Sequence, residues 1–160
     1  MNTREAIQSS LNLSMLVTEM FLADLSDADL LERPVPNANH IAWQLGHIIE
    51  TEARGLAGFG GPVIELPPNF KAQHSKDTAA STSGFLTKQE YLDLWKKVRA
   101  ALLTHINTFS DEQFDTPTPG PMARLAPTAG AMFLLFANHQ TMHAGQFSVV
   151  RRKLGKPVLF

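Results

Sequence analysis

Three histidines in two distant segments are the residues best suited to chemistry. His139 and His143 stand four residues apart, and His47 stands much earlier in the chain. Side chains at positions i and i+4 of a helix lie on one face, with Cβ atoms about 6 Å apart, close enough to share a metal ion. The spacing therefore predicts a pair of metal ligands, provided that the segment is helical.

The neighbours of His139 and His143 predict that both rings point inward. At roughly 100° per residue, the two histidines align with a largely apolar stripe of Met132, Leu135, Phe136, Gln146 and Val150. A buried polar group without a partner costs about 1–3 kcal/mol, and a bound ion would remove that cost. The alternative is structural, with one histidine hydrogen-bonded in the core and the other at a pocket edge. His47 lies on a face with Trp43, which is either solvent-exposed or a partly buried groove.

Two known metal-binding patterns do not fit the last helical segment. Zinc peptidases use HExxH, in which the glutamate activates a water molecule, but Gln140 occupies that position here. Di-iron bundles need carboxylates from several helices, and no Asp or Glu occurs between Thr128 and Leu154. A mononuclear site with neutral nitrogen ligands remains. Since protonated imidazole cannot ligate, metal affinity is expected to fall below about pH 6.

Four long segments with helical periodicity must position these residues. They run from about Thr3 to Leu25, from Asn39 to Phe59, from Thr87 through Ile106, and from Thr128 to Leu154. Thr87 with Glu90 forms a capping-box pattern, and Gly155 fits a helix C-cap. The stretch 60–86 is rich in Gly, Pro and Ser and predicts a long surface crossing. Four helices with one long connection favour an all-α, four-helix bundle.

Composition limits the function classes. The 160 residues suit one domain spanning positions 1–160, with a hydrophobic fraction of 44% and no cysteine. Absence of cysteine excludes disulfides, thiol nucleophiles of the chain's own and iron–sulfur ligation. The net charge of −1 gives no general attraction to nucleic acid or to membranes. The apolar run 131–137 is too short to cross a bilayer, and the expected setting is the cytoplasm.

A family resemblance rests on two motifs taken together. The first is Ile41-Ala42-Trp43-Gln44-Leu45-Gly46-His47, and the second is His139-x-x-x-His143-x-Gly145-Gln146 followed by Arg151-Arg152-Lys153-Leu154-Gly155. This combination resembles the DinB/YfiT-like family of metal-binding bundles, a family distinct from the DNA polymerase of the same name. The resemblance implies an up-down-down-up bundle, frequent homodimers, and a nickel, zinc or iron ion held by His47, His139 and His143.

The resemblance also implies a class of reaction. Characterised relatives include S-transferases that use low-molecular-weight thiols such as bacillithiol or mycothiol. A metal with an open position can polarise a carbonyl, lower the pKa of a water ligand, or hold a thiol as thiolate. Three interpretations follow: a transferase acting through an external thiol, a hydrolase that would need a general base, and a non-enzymatic metal-binding bundle. The substrate would be a small molecule, with no nucleic acid or membrane partner.

Four further side chains are secondary candidates for this site. Gln146, one turn beyond His143, is a candidate catalytic residue that orients a ligand, or else a polar residue satisfying a buried carbonyl. Arg54, two turns beyond His47, is a candidate for binding a thiol cofactor's carboxylate, with solvated surface as the alternative. Trp43 is a candidate cofactor contact, with simple packing as the alternative. His74, in the long crossing, is expected to be exposed, although it could cap the site if that loop closes.

Overall fold

Four long helices and one short helix make up the fold, which a computed structural model describes for residues 1–159. The long helices are α1 (Thr3–Leu22), α2 (Ile41–Gly58), α4 (Lys88–Asn107) and α5 (Ala129–Lys153), and the short one is α3 (Phe70–Gln73). No strand occurs within these 159 residues. The prediction of an all-α chain with four long helices is therefore confirmed.

Side-chain caps set where the helices begin. The predicted capping box at Thr87 is present, since the Thr87 side chain accepts from the Glu90 amide and the Glu90 carboxylate accepts from the Thr87 amide. In α2 the cap is His40, whose Nδ1 accepts a hydrogen bond of 3.1 Å from the amide of Trp43. The cap explains why α2 begins at Ile41 rather than at Asn39 as predicted, because the residue before the first helical position must stay extended.

The C-terminal end of α1 is three residues earlier than predicted. Leu25 is buried in the following turn rather than in the helix. Ser26 and Asp29 exchange hydrogen bonds there, with the Ser26 amide donating to Asp29 Oδ2 over 2.8 Å. This reciprocal pair starts a single 3₁₀ turn, Asp29–Leu31, and so favours a new element over continuation of α1.

Helices α1 and α5 run in the same direction. Ser14, in the middle of α1, donates to Gln140 Oε1 of α5 over 3.0 Å. Seven residues further along α1, the Phe21 carbonyl accepts a 2.9 Å hydrogen bond from Arg151 of α5. Since both contacts advance together along the two sequences, the pair is parallel.

Helices α2 and α4 form a second parallel pair that points the other way. Glu52 of α2 is paired with Arg99 of α4, and the Phe59 carbonyl at the end of α2 accepts from His105 of α4 over 2.9 Å. Arg99 also donates to the Leu11 carbonyl of α1 over 2.8 Å. The two pairs are antiparallel to each other. Gln44, early in α2, contacts His143, and Gly55, later in α2, contacts Phe136, which comes earlier in α5. The topology is up-down-down-up, as predicted.

A buried polar network lies between the two pairs at mid-height. Arg99 donates to both carboxylate oxygens of Glu52 and to Gln140 Oε1. Gln140 Nε2 in turn donates to the Ser14 carbonyl over 2.7 Å and to Thr18 Oγ1 over 2.8 Å. All five of these side chains are buried. Such a network is stable only because nearly every polar group in it has a partner.

The 60–86 crossing, predicted to lie on the surface, is partly packed into the fold. Its α3 turn buries Phe70, and His74 at the C-terminal end of α3 is buried as well. Arg33, in the first connection, donates to the carbonyls of Ala79 and Ser81 over 2.8 and 3.0 Å. The Arg33 bonds fix the crossing against the first connection, and His74, which lies against Gly46, fixes it against α2, the helix that carries His47.

Candidate metal centre

The three predicted histidines meet between α2 and α5. One ring nitrogen from each of His47, His139 and His143 lies within 4.8 Å of the other two. The ring centroids are 4.6 Å apart for the α5 pair, and His47 is 5.1 Å from His139 and 5.6 Å from His143. His143 is buried, while the other two are half-buried. The structure therefore places all three predicted ligands at one point, with one side towards solvent.

The two α5 histidines present their Nε2 atoms to each other. These atoms are 3.1 Å apart, a distance at which two lone pairs repel unless a proton or a cation lies between them. With metal–nitrogen bonds of about 2.05 Å, this separation corresponds to a ligand–metal–ligand angle of about 100°, between the octahedral and tetrahedral values. The separation of the pair is thus compatible with a shared transition-metal ion.

Gln44 fixes the tautomer of His143. The amide oxygen Oε1 accepts from His143 Nδ1 over 2.7 Å, and the amide nitrogen donates to the Asn39 carbonyl over 2.8 Å. The second bond orients the amide, so Nδ1 must be the protonated nitrogen of the imidazole ring. The lone pair of Nε2 then faces His139, and this arrangement of a metal ligand held by an outer hydrogen-bond acceptor is common in metal sites.

Trp43 stacks on the ring of His47. The indole and imidazole rings are stacked, with centroids 5.0 Å apart and an interplanar angle of 10°. The Trp43 side chain is buried, and Nε1 donates to the Ser75 carbonyl over 3.0 Å. Trp43 therefore positions a ligand and ties α2 to the crossing. Its role as a cofactor contact stays a prediction.

His74 is buried against α2 next to His47, contrary to the expectation that it is exposed. Its Nδ1–H donates to the Phe70 carbonyl and its Nε2 accepts from the Tyr91 hydroxyl, both over 2.7 Å. The ring lies against Gly46, where an added Cβ would come within 2.1 Å of His74 Cδ2. Glycine at position 46 thus lets the crossing approach α2 one residue before His47. The exposure was misjudged because loop composition says nothing about such a close helix contact.

Burial keeps the centre's imidazoles neutral. Desolvation lowers the pKa of His139 to about 4 and that of His143 to about 3, and it lowers the pKa of His47 as well. Neighbouring histidines act in the same direction on His139 and His143. A neutral imidazole is the form that ligates a metal. The buried environment therefore keeps the three rings in the neutral form that can ligate a metal at neutral pH.

Two of the four secondary candidates, Gln146 and Arg54, lie on the surface. Gln146 is exposed, whereas the sequence placed it on the inward stripe. The buried face of α5 is centred on Phe133, Gln140 and Phe147, so the two ligands occupy its edge and Gln146 lies just outside. Arg54 is also exposed, and its Nε donates to Glu50 over 3.1 Å. The functional roles proposed for Gln146 and Arg54 are predictions that these positions leave open.

Within residues 1–159, the histidine group includes no carboxylate. Gln140, which replaces the glutamate of a zinc peptidase, points away from the histidines into the buried network with Arg99. The di-iron and peptidase alternatives therefore fail in the structure for the same reasons as in the sequence.

The cavity described next and the histidine group lie in different parts of the bundle. A cavity of about 550 Å³ is lined by Phe59, His105, Phe109 and the 113–119 segment, and by none of the three histidines. Its described polar groups include no cluster of convergent ligand atoms, since His105 Nε2 is already bonded to the Phe59 carbonyl. We assign the candidate site to the histidines, because they bring together chemically matched donors.

Fold and site together define a class: helical bundles with a three-histidine group between the second and last long helices. The family model of the DinB superfamily matches residues 16–147, and the chain belongs to that superfamily. No helix in the described part of the chain is long and apolar enough to span a membrane.

Two solved structures share the fold. One is described as a conserved protein from Enterococcus faecalis, with a TM-score of 0.70 and 17% identity, and covers 98% of this chain and 99% of its own. The other is a DinB-like protein from Bacillus cereus, with a TM-score of 0.66 and 22% identity over 98% of this chain and 97% of its own. No functionally curated protein matches the chain significantly.

Proposed function

We propose that His47, His139 and His143 together hold one divalent metal ion. The observation that carries the proposal is the convergence of three ring nitrogens within 4.8 Å of one another. Burial lowers the pKa of each ring, so all three imidazoles are neutral at neutral pH and each has a nitrogen lone pair to offer a metal. Imidazole ligands suit nickel, zinc and iron alike, and the choice among them depends on geometry and supply.

We further propose that the protein is a metal-dependent S-transferase that uses an external low-molecular-weight thiol. An ion with three neutral ligands keeps its positive charge and open positions, and so supplies stabilisation of a thiolate. The sulfur must come from outside because the chain has no cysteine. In the transfer, the thiol loses its proton to solvent, a sulfur–carbon bond forms, and the leaving group departs with the electron pair of the broken bond.

The chain's own residues contribute positioning and recognition in this proposal. Gln44 and Trp43 hold His143 and His47 by the hydrogen bond and the ring stack described above. Arg54 is the guanidinium that would meet a carboxylate on the thiol or substrate, since it is exposed and close enough to act electrostatically on the His47 ring. Gln146, which is exposed and follows His143 by one helical turn, would orient the bound molecule by its amide.

A metal-dependent hydrolase is the second candidate, and one observation favours it. Glu50 follows His47 by one helical turn and acts electrostatically on its ring, so a carboxylate base exists near the centre. Against this role, Glu50 is already paired with Arg54. A third possibility, a metal-binding bundle without catalysis, would use the ion for stability alone.

Elemental analysis tests the metal site first. We expect about one divalent ion per chain in the untagged protein, and none in a His139→Ala/His143→Ala variant. His105→Gln is the matched control, because His105 is half-buried on α4 and lies outside the group. Full metal loss in the control, or an unchanged metal content in the double variant, would refute the assignment. So would absence of metal after nickel, zinc and iron have each been offered.

Turnover assays then separate the three functions. A transferase consumes a model electrophile only when a thiol is added and the metal is present, whereas a hydrolase acts without thiol. Glu50→Gln should leave thiol transfer largely intact but abolish hydrolysis. If the metal-loaded protein shows neither activity but loses much of its melting temperature on chelation, the non-enzymatic interpretation holds.

A further inference from the structure

An exposed lysine of the crossing lies beside the histidine group. Lys76 begins the 3₁₀ turn Lys76–Thr78, directly after Ser75. The Ser75 carbonyl accepts the hydrogen bond from the Trp43 indole, and that indole stacks on the ring of His47. Only one indole ring therefore separates the backbone of this turn from a ligand of the proposed metal centre.

Hydrogen bonds within the crossing fix the backbone at Lys76. The hydroxyl of Thr78 lies between 2.7 and 3.1 Å from three carbonyl oxygens that precede it, those of Ala72, Gln73 and Ser75. The bond from the indole ties the same turn to α2. The Lys76 side chain is exposed, but it extends from a backbone that is already held in place. Such pre-organisation lowers the entropic cost of placing its ammonium group against a bound molecule.

Three charged side chains act on the ring of His47. Burial has the largest effect and lowers the pKa of His47, while Glu50 raises it. Arg54 and Lys76 both lower the pKa of this ring further. Two of these charges largely cancel, because the Arg54 guanidinium donates to the Glu50 carboxylate over 3.1 Å. The positive charge of Lys76 is the one that remains.

The Lys76 ammonium has no counter-ion within residues 1–159, since it takes part in none of their ion pairs. Asp77, the next residue, is exposed and is not among the charges that act on His47. A positive charge beside the histidines opposes the binding of a cation there. It becomes favourable when the ion also holds a negatively charged molecule. The position of Lys76 thus suits a centre that binds an anion together with its metal.

The α5 side of the centre adds no charge. No Lys, Arg, Asp or Glu occurs between Arg124 and Arg151, an interval that includes His139 and His143. The exposed residues near these two ligands on α5 include Asn138, Met142 and Gln146. This asymmetry orients a bound molecule, because complementary charge fixes how two partners are arranged. An anionic group would lie towards the crossing, and the uncharged part of the molecule would lie towards α5.

We propose that Lys76 binds a carboxylate group of the small molecule at the metal centre and so selects anionic molecules over neutral ones. The inference rests on the proposed function, because it requires a thiol or an electrophile to bind beside the ion. Lys76 is better suited to this role than Arg54, which can meet an anion only by leaving Glu50. A phosphate is the less suitable anion, since phosphate sites ordinarily combine several donors, and no second unpaired cation acts on His47.

Two pairs of probes test the selection and identify which molecule bears the carboxylate. The thiols are N-acetylcysteine and N-acetylcysteine amide, whose Kd values are measured by calorimetry on the metal-loaded protein. The electrophiles are 4-chloro-3-nitrobenzoate and its amide, whose KM values are measured with the neutral thiol. Lys76→Met should weaken binding of the anionic member of one pair about three- to tenfold and leave the neutral member unchanged. A loss in the thiol pair assigns the carboxylate to the thiol, and a loss in the other pair assigns it to the electrophile.

Lys71→Met is the matched control, because Lys71 is an exposed lysine of the same crossing that does not act on His47. It should change none of the four values, whereas Lys76→Arg keeps the charge and should retain the preference. Unchanged values for all four probes in Lys76→Met, or equal losses in Lys71→Met, would overturn the inference and leave the proposed function intact. If neither thiol binds to the metal-loaded parent, the proposed function is refuted and this inference with it.

Discussion

Replacing Gln44 by leucine isolates the outer support of the metal centre. The variant keeps a side chain of similar volume in the buried position but removes the acceptor for His143 Nδ1–H and the donor to the Asn39 carbonyl. The loss of outer-shell hydrogen bonds to a ligating histidine typically lowers metal affinity 10–100-fold. That factor corresponds to about 1.4–2.7 kcal/mol of binding free energy.

The metal-free protein should also lose stability. His143 Nδ1–H would remain buried without an acceptor, which costs about 1–3 kcal/mol. For a chain of this size each kcal/mol lowers the melting temperature by about 2–4 °C. Titration with a competing chelator gives the affinity, and thermal unfolding with and without metal separates the two effects.

Gln89→Leu is the control, since Gln89 is an exposed glutamine on α4. It should change neither the metal affinity nor the melting temperature beyond a small surface effect. A folded Gln44→Leu protein with parental metal affinity would refute the argument that Gln44 fixes the ligating tautomer. Equal affinity losses in both variants would refute it too, because the effect would then be unrelated to His143.

Three other predictions follow from burial and packing. Because burial lowers the pKa of the two α5 histidines to about 4 and about 3, the unfolded chain binds protons that the folded chain rejects. The metal-free protein should therefore lose melting temperature as the pH falls from about 6.5 towards 4, and a melting temperature that stays constant over this range would contradict this. Gly46→Ala forces the His74 ring aside and should destabilise by about 1–3 kcal/mol in denaturant unfolding, whereas Gly58→Ala, which meets nothing within 4 Å, should not. Arg99→Met leaves the Glu52 carboxylate buried without its cation and should cost about 3–5 kcal/mol, while adding Glu52→Leu should recover most of that loss.

The helices and their order could be predicted because their signals are local. The capping box at Thr87 and Glu90 and the apolar period of α4 lie within a few residues of each other, and both are present. The predicted helix boundaries were wrong where an unusual residue caps the helix, as His40 does at the start of α2. The predicted end of α1 was wrong for a related reason. In the sequence, the segment that holds the reciprocal Ser26–Asp29 pair looks like a continuation of the helix.

The histidine group was predictable in its members but not in its support. The i, i+4 spacing and the apolar stripe placed His139 and His143 at the inner edge of α5, and the resemblance added His47. Gln44 was missed, although a glutamine among Ile41, Leu45 and Ile48 is a polar residue on a buried face and must have a partner. Which partner it has depends on the antiparallel packing of α2 on α5, and no local pattern specifies that.

The Arg99 network and the histidine group both join the α1/α5 pair to the α2/α4 pair. Arg99 links α2 and α4 to α1 and α5 by hydrogen bonds, and the histidine group links α2 to α5. An ion held by all three histidines would therefore crosslink the two parallel pairs, so its binding free energy would add directly to the stability of the fold. Chelation should weaken this junction first, and hydrogen exchange should then increase along α2 and α5 more than along α1 and α4. A uniform increase across all four long helices would instead indicate that the ion stabilises the bundle only as a whole.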